Sequence, residues 1–148
     1  MVPTPSVDDL RSTQSACTHS WEQIIVDSVT DESYDPERGE EIGIGVSYRV
    51  EGRELTLVTR VEGLTEGLTY RLRLRSTCSY DHDLTVEHDT AVDFIATSLG
   101  PIAFTLVNDM LATLGGKTGT PYPTLDPPSL ASVWGHIREE APVEGHEP

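Results

Sequence analysis

Basic residues are scarce in this sequence: 10 Lys+Arg stand against 25 Asp+Glu in 148 residues, a formal net charge of −15. Such a chain repels the phosphates of nucleic acid and an anionic membrane surface, which argues against direct DNA, RNA or lipid binding. Cysteine is scarcer still. Cys17 and Cys78 stand in unrelated segments with no C-x-x-C spacing, so the expectation is a reduced, cytoplasmic protein with no disulfide framework. No apolar run reaches the roughly 18 residues that span a bilayer, and the first 20 residues lack the basic-then-apolar plan of a signal peptide. A phosphate-binding glycine loop is also missing. Gly115-Gly116-Lys117-Thr118-Gly119 has the right residue types, but the glycines end a helical pattern instead of linking a strand to a helix.

What is present is a chain long enough to bury ~70% of its unfolded surface in one core. Residues 1–19 are polar and read as a mobile or only partly helical arm. Trp21, Ile24, Ile25, Val26 and Val29 make a first strand, followed by an acidic loop over residues 31–41. The clearest signal comes next: Ile42, Ile44, Val46, Tyr48 and Val50 alternate with small or polar residues at the period of two that gives a sheet one apolar face. Glu51-Gly52-Arg53-Glu54 reads as a hairpin turn. Leu55, Leu57, Thr59 and Val61 alternate again, and residues 63–67 form another break. Leu68, Tyr70, Leu72, Leu74, Ser76, Cys78 and Tyr80 then share one face, with Arg71, Arg73 and Arg75 on the other. The arginines call for Glu or Asp across the strands. Residues 84–97 complete the sheet as a last strand. Turns this short make neighbouring strands antiparallel, in a meander or Greek key of four to five strands.

After Gly100 the period lengthens. Ile102, Phe104, Leu106, Val107, Met110, Leu111 and Leu114 recur at three- and four-residue steps from Pro101 to Gly115-Gly116, which predicts a helix lying on the sheet. A stretch dense in proline runs from Pro121 to Pro128. Ser129 then caps a short helix carrying Leu130, Val133, Trp134 and Ile137. The tail over residues 139–148 is acidic and reads as disordered. The fold class is α+β, with residues 20–138 forming the folded domain between arm and tail.

In this order of elements the chain resembles the SecB-like protein-export and toxin-antitoxin-associated chaperones. The residues that carry the resemblance are Tyr122-Pro123-Thr124-Leu125 with Asp126, Pro127 and Pro128 after them, where that family has an aromatic-Pro-x-Leu segment and a further proline before its last helix. A second match is Asp27 and Asp31, spaced like the acidic pair through which family members contact the export ATPase. The stretch Phe104-Thr105-Leu106-Val107-Asn108-Asp109 lacks the proline and arginine that shape subunit packing in the family, which points to a distant branch.

The resemblance implies an ATP-independent holdase, a homo-oligomer (dimer or tetramer) that binds unfolded or extended polypeptide by mass action and needs no cofactor. It also implies an export ATPase or an antitoxin as partner. The groove should be walled by Ile42, Ile44 and Val46 of the second strand with Val133, Trp134 and Ile137 of the last helix, and Tyr122 and Leu125 join them. Against this, an Ile-x-Ile-x-Val face also serves as plain core, and Trp134 could dock its helix instead of a client. Asp81-His82-Asp83 and Glu87-His88-Asp89 hold six possible ligands in nine residues. On a strand, however, His82 and His88 would lie some 20 Å apart, so they are candidates only across a turn. No constellation for acid, base or nucleophilic chemistry is present, so the chain reads as no enzyme. Two other readings are an acidic nucleic-acid mimic that inhibits a basic protein, and a non-enzymatic assembly subunit.

Overall fold

The computed structural model describes residues 5–28, 41–65 and 68–119. The expected terminal helix, the Pro-rich stretch with Tyr122 and Leu125, the loop bearing Asp31 and the acidic tail all lie outside them. The described chain runs α1 (Val7–Thr13), β1 (Ala16–Ser28), β2 (Glu41–Glu51), β3 (Glu54–Thr65), β4 (Leu68–Ser79), α2 (His88–Phe94), a π-helical turn (Ile95–Leu99) and α3 (Gly100–Thr118).

The four strands form one antiparallel sheet in the order β1-β4-β3-β2. Strands β2, β3 and β4 make a meander, and β1 lies beside β4, which is a Greek key. The β2–β3 connection is the two-residue loop Gly52-Arg53, and Gly52 at φ 60° supplies the positive torsion that a tight hairpin needs. Period-two alternation sets the faces as expected. Leu55, Leu57 and Val61 of β3 and Tyr70, Leu72, Leu74 and Cys78 of β4 are buried on one face. Arg71, Arg73 and Arg75 stand on the other, outer face.

Strand β1 keeps this alternation only in two halves. Trp21 pairs with Leu74 and Gln23 with Arg73, so Glu22 is a bulge residue without a partner in the register. The extra residue lets Trp21 and Ile24, three apart, both face inward. Cys17 pairs directly with Cys78, and their Sγ atoms lie 3.1 Å apart as free thiols. The cysteines are therefore neighbours, which a sequence separation of 61 residues could not show. Burial pushes the Cys78 thiol well above its ordinary range.

Three expectations are corrected. The arm over residues 1–19 contains an ordered helix and the start of β1. In α1, Ser6 and Asp9 form a reciprocal capping box, Leu10 is buried, and the Tyr80 hydroxyl donates to the Leu10 carbonyl at 2.9 Å. Arg11 adds hydrogen bonds to Ser98 and Thr97.

Residues 84–97 are not a fifth strand. The Tyr80 and Leu84 amides donate to the carbonyls of Arg53 and Gly52, which folds the segment back over the β2–β3 hairpin end, and a helix begins at His88. Ala91, Ile95, Leu99, Ala103, Val107 and Leu111 form one buried stripe at steps of four, so the periodicity that starts the helix lies well before Pro101. Pro101 lacks an N–H and would crowd the carbonyl four residues back. The widened π turn just before it, closed by the Gly100 amide donating to the Ile95 carbonyl, accommodates the ring within a continuous 31-residue rod.

Nor does the helix stop at Gly115-Gly116. It closes at Gly119, whose φ of 74° is the left-handed conformation of a helix cap and whose amide donates to the Gly115 carbonyl. By length and composition the rod could cross a membrane, yet half of its most apolar window is buried within the domain, as a core helix is.

The core is the contact between this rod and the inner face of the sheet. Each large side chain there contributes about 1.5–3 kcal/mol by leaving water. Replacing Phe94, which is fully buried, by Ala should therefore cost ~3–5 kcal/mol in urea unfolding. Ile102→Ala on the exposed side of the same rod should change stability by less than ~0.5 kcal/mol.

Candidate functional site

The rod contacts the sheet at β4, and the inner-face side chains of β3 and β4 are sealed. The flanking strands are covered less completely. On β2, Ile44, Val46 and Val50 lie in register with Val61, Thr59 and Leu55 and are only partly buried against the core. On β1, Trp21 and Val26 are likewise half-buried, and Ile24 is 44% exposed although it faces inward opposite Leu72. The helical side adds Ile102, 49% exposed, and with Pro101, Thr105 and Leu106 it lines a small apolar depression. Apolar side chains thus remain open to water on both flanks of a sealed centre.

Two of the client-binding residues expected from sequence, Ile44 and Val46, lie in this half-covered row. Ile42 occupies the next matching backbone position of β2, opposite Gly63, while its side chain lies outside the described set. Tyr122, Leu125, Val133, Trp134 and Ile137 are also outside it, as is Asp31. Asp27 is exposed on the outer face of β1, opposite Thr69. Sequence reasoning missed Trp21, Ile24 and Ile102. The first two were legible as inward-facing only once the bulge at Glu22 was known, and Ile102 was assigned to a buried helix face.

Polar groups inside this region set its chemistry. The Tyr48 hydroxyl hydrogen-bonds His88 Nδ1, and the two rings stack with centroids 5.6 Å apart, which ties the start of α2 to β2. His88 is therefore a packing residue at a helix start. His82 sits in the loop after β4 and hydrogen-bonds the neighbouring Asp81. The two histidines do not share a strand, and among the described residues no group of three or more His, Cys, Asp or Glu is placed to hold a metal ion.

His19 Nδ1 lies 2.7 Å from the Ser76 hydroxyl, and burial holds its pKa below the ordinary 6.5. Thr59, opposite Val46, has a buried hydroxyl with no hydrogen-bond partner among the described residues.

A scan of protein-family models and a search of curated proteins both find no match. The fold is nonetheless a known one. An α+β domain in which a four-stranded Greek-key sheet carries a long helix on one face is the class defined here. Within that class the chain is similar to the solved structure of the Mycobacterium tuberculosis SecB-like chaperone Rv1957 in complex with a ChAD peptide from the antitoxin HigA1. The TM-score is 0.56 at 12% identity, over 79% of this chain and 91% of that one. The likeness is one of fold, and it supports the distant SecB-like architecture that the proline-rich motif suggested.

Two outcomes follow from the inner-face polar groups. Thr59→Val should leave stability unchanged or raise it by up to ~1 kcal/mol, because a desolvated hydroxyl is replaced by a methyl of the same shape. For His19, lowering the folded pKa means that the unfolded chain takes up a proton first. Stability should therefore fall as pH drops below about 6.5. His19→Gln should flatten that part of the decline between pH 7.5 and 5, read as the urea midpoint at each pH.

Proposed function

We infer that the protein is a non-enzymatic, ATP-independent holdase that binds unfolded or extended polypeptide along the half-covered apolar flank of its sheet. The observation that carries this reading is the row Ile44, Val46 and Val50 on the edge strand β2, on the same face as the core but incompletely covered. An edge strand offers a client backbone hydrogen bonds as well as apolar pockets at alternate positions. Support also comes from the fold, since the similar Mycobacterium chaperone was solved with an antitoxin peptide. An antitoxin segment is accordingly the first client to try.

Val133, Trp134 and Ile137, with Tyr122 and Leu125, would complete the groove from the C-terminal side. Exposed Asp27, with Asp31, would serve an export ATPase if the role is export. The working unit would be a dimer or tetramer in the cytoplasm. The nucleic-acid-mimic reading is less well supported, because the outer face of the sheet carries rows of arginine where a mimic needs regularly spaced carboxylates.

The test is suppression of aggregation of a thermally unfolded model enzyme at 150 mM salt without nucleotide. Wild-type chain at a small molar excess should prevent most of the light scattering. The double variant Ile44→Asp/Val46→Asp and the single variant Trp134→Ala should each need at least fivefold more protein for the same effect. A wild-type chain that leaves aggregation untouched would refute the reading, and so would full activity in both variants.

A further inference from the structure

The outer face of the sheet is chemically unlike the rest of the molecule. Arg60 of β3 and Arg73 of β4 are register partners, so two like charges sit directly opposite each other in the middle of the sheet. Arg71 and Arg75 flank Arg73 two residues away on the same face. Like-charged cross-strand pairs destabilise a sheet; Arg71, Arg73 and Arg75 find the expected carboxylates on neighbouring strands, and Arg60 does not among the described residues.

Glu22, the bulge residue, is the one carboxylate shared by Arg73 (3.0 Å) and Arg75 (2.6 Å). Both arginines hold the Glu22 carboxyl below its usual range, Arg75 most strongly. Arg71 reaches Glu62 only at 3.8 Å. Arg60 has no acidic partner among the described residues, and its guanidinium lies across Gly45 on β2, close to where a side chain there would stand. In a chain with 10 basic and 25 acidic residues, four of the basic ones are gathered here.

Beside them β2 carries no side chain at two positions. Gly43 and Gly45 occupy successive outward positions of β2 and present backbone instead of side chains. Glycine inside a strand weakens it and marks places where another backbone comes close. A shallow depression of about 520 Å³ opens at this end of the sheet, lined by Gly43, Glu62, Leu64 and Arg71 with Ile25 and Asp27 beyond. Its polar groups are of both signs, and the basic side continues along β4.

We propose that this outer face, floored by Gly43 and Gly45 and edged by Arg60, Arg71, Arg73 and Arg75, docks an extended polypeptide segment of a partner protein with Asp or Glu at alternate positions. Arg71, Arg73 and Arg75 repeat every two residues, about 6.6 Å along the strand, which is also the spacing of same-side carboxylates on an extended peptide. Arginine is suited to such pairing, since its planar fork meets a carboxylate with two hydrogen bonds. The net charge of −15 opposes the approach only from a distance. At physiological salt the screening length is about 8 Å, so carboxylates beyond the patch are damped, and within it the four arginines outnumber Glu22 and Glu62. A nucleic-acid duplex would extend past the patch onto acidic surface. The site is separate from the apolar flank on the opposite face and does not rest on the holdase reading.

A fluorescein-labelled twelve-residue peptide alternating Glu with Gly, titrated with the full chain at 150 mM salt and read by fluorescence polarisation, tests this. It should bind saturably, and the same peptide with Gln for Glu should not. Arg60→Gln/Arg73→Gln should weaken binding at least tenfold. Arg53→Gln, in the β2–β3 turn, should change it less than twofold. The double variant should melt no lower than wild type, because it removes a repulsive pair while Glu22 keeps its ion pair with Arg75, and should still suppress aggregation as wild type does. Absence of saturable binding, binding unchanged in the double variant, or equally tight binding of a DNA duplex would each overturn the proposal.

Discussion

The burial of one face of β3 and β4 under a single continuous helix is the constraint from which the other features follow. Leu55, Leu57 and Val61 of β3 with Leu72 and Leu74 of β4 supply the sheet side, and Phe94, Ile95, Leu99, Val107 and Leu111 supply the helix side. A helix about 10 Å across covers roughly two strands spaced 4.8 Å apart. A four-stranded sheet under one helix therefore has covered central strands and partly open outer ones. The half-buried rows on β1 and β2 are a geometric outcome of that mismatch, and α1 closes only part of it through Leu10 and its bond to Tyr80.

Strands β2, β3 and β4 were legible in the sequence because each keeps strict alternation over ten or more residues, and Gly52 marked the hairpin between the first two. The rod was legible only from Pro101 onward. Its first two turns carry Val92, Phe94 and Ile95, β-favouring residues whose spacing over so short a span suits a strand as well as a helix. The longer stripe from Ala91 to Leu111 decides for the helix, and Pro101 hid it by looking like a start. In β1 the alternation is broken at Glu22, so the inward set Trp21, Ile24 and Val26 cannot be read without the pairing to β4. The meeting of Cys17 with Cys78 and the opposition of Arg60 to Arg73 are consequences of register, which depends on strands distant in the chain. For the candidate site, Ile44 and Val46 were read correctly as members of one face, while their incomplete cover is set by the width of the helix.

The two faces of the sheet differ in kind. The inner face is apolar, with a few confined polar groups such as Thr59 and His19. The outer face concentrates guanidinium groups around one shared carboxylate in a molecule whose charge is otherwise of the opposite sign. One sheet therefore separates a surface suited to oily chains from one suited to anionic ones, at a distance of a single layer.

The bulge at Glu22 makes β1 two half-strands of opposite phase. Residues before it point inward at odd numbers and residues after it at even numbers. Without the bulge, regular pairing of the same sequence through Glu22 would turn the second half over, sending Ile24 and Val26 to solvent and carrying Asp27 toward the core. Deleting Glu22 would instead keep the inward set and remove the carboxylate that Arg73 and Arg75 share. One position in the chain thus fixes both the oily lining on one side of the sheet and the charge pattern on the other.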